Sequence, residues 1–427
     1  MKKSIISAWL LLSCFGVKSQ VTLDYCRQKA REHYPLIANF GLIERAKEYT
    51  VFNATRNYLP QLALNAKATL QSDVTTFPEF PKFPFGLFSF DMPELKKDQY
   101  AITLDLTQTV WDGGAVAAAS KSAKAQYEVD RTSLETNLYA LRERISGLYF
   151  GILLLKEQII LADLMNEELL RNLKKVEACI QNGVANRADL DRVKVAILNN
   201  KQKLEELHVN KTAYCQMLSA FIGETIAEDA SLEMPLHLNS QTNFSTDLEL
   251  RPEIKLFDSQ IKWFESNRKM LQAKNMPKIG LFAQGGYGRP GLNMLSSEFS
   301  FYAIGGVQLR WNFGGLYSFS NEKNQILNAQ QTVQAQKATF IFNSNLQLSQ
   351  QKADIDRLQK QLNLDDEIIG LKTEIKTNTE AQMEDGTATV NDWMKEVTEE
   401  NIAKQNKLLR QIQLLMAIDN YNNMVGK

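Results

Sequence analysis

Four segments of the chain alternate apolar and polar residues with period two, and the stretches between them carry apolar residues in a 4-3 rhythm. After Pro60, Leu62, Leu64, Ala66, Ala68 and Leu70 point one way and Ala63, Asn65, Lys67 and Thr69 the other. Tyr100, Ile102, Leu104 and Leu106 oppose Thr103, Asp105 and Thr107 in the same manner. Further on, Ile279, Leu281 and Ala283 oppose Lys278 and Gln284, and Val307, Leu309, Trp311 and Phe313 oppose Gln308, Arg310 and Asn312. The pattern predicts strands over about 61–71, 100–111, 278–288 and 301–313. Alternation over about ten residues suits a strand with lipid on one side and water on the other. A half-buried soluble sheet alternates in the same way. Two details favour lipid: Trp111 and Trp311 end equivalent strands, where an interfacial aromatic girdle belongs, and the first strand is richer in alanine than a buried sheet face.

Residues 115–182 contain no proline and only Gly147 and Gly151, so they predict one very long helix. Its seam steps through Leu134, Leu138, Leu141, Ile145, Leu148, Ile152, Leu155, Ile159 and Ala162, skips Asn166, and resumes at Leu169, Leu173, Val176 and Ile180. A seven-residue repeat of this kind implies a left-handed coiled coil. After Asn182-Gly183 a second seam returns through Leu190, Val193, Ile197, Leu204, Leu207, Tyr214, Leu218 and Phe221. Residues 316–425 repeat this helical hairpin with a noisier seam. By themselves such seams suit an ordinary coiled coil; joined to membrane-type strands, they argue for a helical tube continuing a barrel.

The chain is an internal duplication. Pro35 and Pro60 are 25 residues apart, as are Pro252 and Pro277, and each second proline opens an alternating segment. Each copy then reaches a double glycine, Gly113-Gly114 or Gly314-Gly315, and a tip glycine 69 or 71 residues later, Gly183 or Gly386. Ala185 matches Ala388 and Asp189 matches Asp392. Self-similarity of this length must be settled before any fold is assigned. The expected layout is a signal peptide over 1–19, a first repeat over 20–222 with its hairpin at about 115–222, a linker over 223–250, and a second repeat over 251–427. The loop over 72–98 is the longer of the two hairpin loops and carries a Phe/Pro-rich run, suited to a surface loop or to a lid over a channel mouth.

Lys2 and Lys3 followed by an apolar run from Ile5 to Val17 read as a secretory signal, too short to span a bilayer. Leu11-Leu12-Ser13-Cys14 resembles a lipidation box with an atypical second residue, so processing within the signal is favoured over lipidation at Cys14. No other stretch approaches ~18 uninterrupted apolar residues, and no transmembrane helix is expected. Lys plus Arg balances Asp plus Glu at 49 each, which gives no bias towards nucleic acid. Cys26, Cys179 and Cys215 read as small hydrophobes on helices.

Enzymatic chemistry is not legible. Gly286-Tyr287-Gly288-Arg289-Pro290-Gly291 fits GxGxxG, but Pro290 and a polar loop stand where a nucleotide fingerprint needs a helix. His33, His208 and His237 are too scattered for a metal site. Glu167-Glu168 and Glu399-Glu400 read as solvated helix faces. No cofactor and no catalytic residue are expected.

Four strands leave two open edges, which lipid does not tolerate. Closure therefore needs further copies of the chain; two, three or four would give 8, 12 or 16 strands.

With strands, helical hairpins and duplication in place, the mature chain resembles the TolC family of outer-membrane efflux proteins. The resemblance rests on Val21-Thr22-Leu23-Asp24 through Pro35, the proline-strand junctions, the Gly-Gly helix starts, the tips Gly183–Leu190 and Gly386–Trp393, and the ending Tyr421–Gly426. It implies a mixed α/β homotrimer, with a 12-stranded antiparallel β-barrel of four strands per protomer continued by an α-helical barrel reaching into the periplasm. It also implies docking to a periplasmic adaptor and an inner-membrane pump, with outward passage of drugs, metals or proteins.

In such proteins an aspartate six residues after the second tip glycine lines the closed periplasmic aperture, a place that Asp392 holds here. A second aspartate ring three residues on is replaced by Lys395. Asp189 is the first-repeat counterpart, and the basic residue it would pair with falls at Ala388, which puts an ionic latch in doubt. Both aspartates also suit the start of a helix, where the dipole favours a carboxylate. Lys67, Asp105 and Arg310 are the expected barrel-lumen residues, and Trp111 and Trp311 the membrane-interface girdle. The competing readings are a periplasmic or secreted coiled-coil scaffold without a pore, and an enzyme on a small outer-membrane barrel.

Overall fold

A computed structural model describes residues 21–74, 96–181, 185–227, 230, 232–235, 247–293 and 296–427. The signal segment with Cys14, most of the 72–98 loop, the turn at Asn182-Gly183 and much of the 223–250 linker lie outside them. The elements run α1 Leu23–His33, a 3-10 turn Pro35–Ala38, α2 Asn39–Arg56, β1 Gln61–Leu70, β2 Asp98–Trp111, α3 Ala115–Tyr139, α4 Leu141–Gln181 and α5 Arg187–Ile222. They repeat as α6 Pro252–Lys274, β3 Lys278–Arg289, β4 Ser300–Arg310, α7 Gly315–Glu384 and α8 Val390–Met424. The chain forms two compact units, each drawing on both halves of the sequence.

One unit comprises Gly41–Arg131 and Phe257–Ala335. Its sheet is antiparallel in the order β1-β2-β3-β4, so the duplicated hairpins meet through β2 and β3, leaving β1 and β4 as edges. Both prolines that open strands explain where pairing stops. Pro277 has no N–H to extend a ladder, and β4 accordingly ends at Arg310, opposite Lys278. Trp311 and Phe313, which the alternation counted into that strand, therefore lie beyond it. The start of α3 is held by Asp112, which accepts hydrogen bonds from the amides of Gly114 (2.9 Å) and Val116 (2.6 Å) and the hydroxyl of Tyr58 (2.8 Å). Gly113 and Gly114 both have positive φ there, and a Cβ on Gly113 would lie 2.3 Å from Cβ of Met276.

The other unit comprises the described residues of Met1–Phe40, Thr132–Leu256 and Gln336–Lys427. The first seam forms its core: Leu134, Leu138, Leu141, Ile145, Leu148, Ile152, Ile159, Ala162, Leu169 and Val176 are all buried. Val193, Ile197, Leu207 and Leu218 of α5 are buried with them. Tyr214 departs from the expected seam and is 37% exposed. It lies over Gly151, where any Cβ would stand 2.5 Å from its ring, so that glycine permits close approach of α4 and α5. Ala140 interrupts the predicted continuous helix between α3 and α4. By length and composition alone, one stretch within Ala115–Gln181 could cross a membrane, contrary to expectation. Its apolar side chains include the fully buried Ile145, Tyr149, Phe150, Ile152 and Leu153, so they serve the helical core.

Candidate functional site

Register decides what each face of the sheet presents. Leu62 lies opposite Leu106, Leu64 opposite Leu104, and Ala66 opposite Ile102. The same row continues as Leu106–Ala283 and Ile102–Tyr287 into β3, then Leu281–Val307 and Ile279–Leu309 into β4. One face is thus apolar across all four strands, and none of the described residues covers it: Leu64 is 72% exposed and Phe301 86%. Exposed contiguous apolar surface on this scale marks contact with lipid or protein.

The opposite face carries Asn65, Lys67, Thr103, Asp105, Gln284, Gln308 and Arg310. Lys67, Asp105 and Arg310 therefore share one face, as their parity predicted. Asp105 is anchored in it, accepting hydrogen bonds from the amides of Asn65 and Gln284 (2.5 Å each) and the hydroxyl of Thr103 (3.3 Å).

Trp111 reaches the apolar face by a route that alternation alone does not provide. An odd-numbered residue of β2 belongs with Asp105 on the polar face. A register shift between Thr109 and Trp111 leaves Val110 without a partner and sets Trp111 opposite Ile279. A β-bulge re-aims the side chain that follows it. Trp311, just past β4, donates its indole N–H to the carbonyl of Asn275 (3.1 Å) and packs on Phe313, with ring centroids 4.7 Å apart.

The other end of the sheet carries a second aromatic band that the sequence reading missed. Tyr287 contacts Phe301 at 4.5 Å and Phe299 at 5.6 Å between centroids, and Tyr100 lies 6.3 Å from Phe299. The Arg289 guanidinium stands over Tyr100 and Phe299 at 5.5 and 5.2 Å and forms an ion pair with Asp98. Its sequence signal was the clustering of aromatics where β2 and β4 begin. Tyr100 and Trp111 are 11 residues apart. At ~3.3 Å per residue and a tilt of about 40°, that spans about 28 Å, close to the apolar band of an outer-membrane barrel.

The tip aspartates are helix-capping groups. Asp189 and Asn186 form a reciprocal capping box at the start of α5, and Asp392 and Thr389 form another at α8. Asp189 is mostly buried and pairs with Arg192 at 3.2 Å on the same helix. Asp392 is exposed, and hydrogen bonds from the side chain and backbone of Thr389 hold its pKa below the usual carboxylate value. Lys395, one turn on, is exposed.

Glu168 and Glu400 are not the solvated carboxylates expected. Lys376 of α7 bridges them, at 2.8 Å to each, and so joins α4, α7 and α8. Glu400 is nearly inaccessible, and although burial opposes its charge, Lys376, Thr373 and Lys404 pull its pKa down to about 2. Helical periodicity gave no signal of this, because the partners lie more than 200 residues apart or across a hairpin.

The comparisons with known proteins point the same way. The sequence profile of the outer membrane efflux protein family matches residues 26–224, which take in nearly all of the first repeat. Over those residues the chain resembles that family. No curated protein sequence matches it significantly.

Solved structures share its fold along almost its whole length. The outer-membrane channel OprN matches with a TM-score of 0.68 at 14% identity, covering 95% of this chain and 89% of that one. The outer membrane protein VceC from Vibrio cholerae matches with a TM-score of 0.67 at 15% identity, covering 95% and 96%. CusC, whose structures concern transmembrane channel formation, matches with a TM-score of 0.69 at 13% identity, covering 95% and 92%. The chain therefore has the fold of one protomer of a TolC-like channel. The fold is that of channel proteins, and outer-membrane channels of this kind generally work as trimers with an adaptor and an inner-membrane pump.

Proposed function

We propose that three copies of this chain close a barrel in the outer membrane and conduct solutes outward from a periplasmic adaptor and inner-membrane pump, without catalytic chemistry of their own. The carrying observation is the sheet: four strands with one face apolar and uncovered, and both edge strands unpaired. In lipid, such a sheet is stable only when its edges are paired into a closed ring. The polar face, with Lys67, Asp105 and Arg310, then lines water, while Trp111, Trp311 and the Tyr100–Phe299–Tyr287–Phe301 cluster sit at the two lipid boundaries. The tips around Asp189, Asp392 and Lys395 form the periplasmic aperture, and the two tandem repeats, 20–222 and 251–427, each supply two strands and one hairpin. Exported cargo is a small molecule or a protein delivered by the pump.

Purified protein in a planar bilayer tests this reading. It should insert with one orientation and give discrete conductance steps. Folded protein that inserts and never conducts would overturn it.

A further inference from the structure

The polar face of the sheet carries an excess of cations that the channel reading leaves unused. Lys278, the first residue of β3, lies directly opposite Arg310, the last of β4. Like charges placed opposite each other across a ladder are destabilising. Both side chains are exposed, and among the described residues neither has an ion pair or hydrogen-bond partner. Lys67, on the same face, is likewise unpaired there. Within the four strands the one carboxylate on that face, Asp105, is engaged by the neutral donors Asn65, Gln284 and Thr103 and lies on the neighbouring strand β2, away from Lys278 and Arg310. Asp112, just past β2, is buried and taken up by Tyr58 and the amides of Gly114 and Val116.

Neighbouring positions add hydrogen-bonding capacity without negative charge. Gln308 lies opposite Gly280, one polar-face step from the pair, with its side-chain nitrogen 3.8 Å from where a Cβ on Gly280 would stand. The glycine is dictated by the close approach of β2, whose Gln108 carbonyl oxygen would stand 2.9 Å from that Cβ. Two unpaired cations beside a neutral amide form a surface suited to an anion.

We infer that Lys278 and Arg310, repeated by each protomer around the barrel, form a cationic ring that binds multivalent organic anions on the channel wall and favours anionic cargo. The inference rests on reading the polar face as the lumen. Rings of Lys or Arg select anions by the same electrostatics that lets carboxylate rings select cations. Screening sets the conditions: the field reaches ~8 Å from the wall at physiological salt and ~30 Å at 0.01 M. In a wide barrel the ring therefore acts on anions near the wall at physiological salt, and across more of the lumen at low salt.

The probe is pyranine, a trisulfonated fluorophore, titrated into the intact trimer in uncharged detergent, with fluorescence anisotropy as the readout. Wild-type protein should bind it at low salt and release it as salt rises. Lys278→Gln combined with Arg310→Gln should weaken binding by about tenfold, the loss of two close cations per site. Arg310→Gln alone should weaken it by about threefold, which keeps the test available should the double variant fail to assemble. A wild-type trimer that ignores pyranine, or a double variant that binds it as tightly, would overturn the inference. Absence of conductance from the wild type would instead defeat the channel reading itself, so the two failures are distinguishable.

Discussion

Trp111 stands opposite Ile279, on the apolar face of the sheet, because Val110 is looped out of the β2–β3 ladder. One extra residue thus decides whether a large indole meets lipid or water. Deleting Val110 should close the ladder without a bulge, with Thr109 still opposite Gly280 and Trp111 still opposite Ile279 on the apolar face. In a variant lacking Cys26, Cys179 and Cys215, a cysteine replacing Trp111 should therefore resist a charged thiol reagent both with and without Val110. A cysteine at 111 that reacts while Val110 is present and becomes protected once Val110 is deleted would show that the bulge does not set the face.

The faces themselves are open to the same chemistry. Cysteines at Lys67, Asp105 and Arg310 should label rapidly with a small hydrophilic reagent, whereas one at Leu104, 47% exposed in the single chain, should be shielded by lipid. Labelling that is equal on both faces would contradict the barrel.

Glu400 ties pH to the stability of the helical unit. Its carboxyl ionises near 2 when folded, against 4.5 as the ordinary value, so folding favours the charged form. The resulting stabilisation is complete above about pH 4.5 and is lost as pH falls from there towards 2. Removing one partner of a buried ion pair costs about 3–5 kcal/mol. Glu400→Gln should therefore lower thermal stability markedly at pH 7, read by circular dichroism of the detergent-solubilised protein, and its deficit should shrink as pH drops. A deficit that is constant from pH 7 to pH 3 would show that Lys376 does not stabilise the charged carboxylate.

At the tips, the two aspartates should separate in effect. Asp392 is exposed, so Asp392→Ala should lower cation selectivity in bilayer recordings. Asp189 is mostly buried against its own capping partner and Arg192. Its loss should act mainly on hairpin stability, as should Asn186→Ala, by about 1 kcal/mol. Unchanged selectivity in Asp392→Ala would move the constriction elsewhere, with Lys395 the next residue to replace.

Much of the fold was legible because its signals are periodic. The seam from Leu134 to Val176 is buried except for the partly buried Leu155 and Leu173, and the strand alternation matches the face each residue occupies up to Thr109. What periodicity missed was non-periodic or remote. The bulge at Val110 breaks the alternation by one residue, and the end of β4 at Arg310 is fixed by where Pro277 stops its partner. Glu168 and Lys376 meet only once the chain has returned from its second repeat. The tip positions were legible by spacing, but the capping roles of Asp189 and Asp392 follow from Asn186 and Thr389, three residues before each, which spacing from a glycine does not consider.

Barrel closure by three copies is the claim on which the lumen, the girdles and the aperture all depend, and the mass of the detergent-extracted particle tests it most directly. Light scattering corrected for bound detergent should give three times the 48.5 kDa of the full chain, less any segment removed in maturation, with the β-signal in circular dichroism intact. A monodisperse particle of one chain that keeps its β-structure would contradict it.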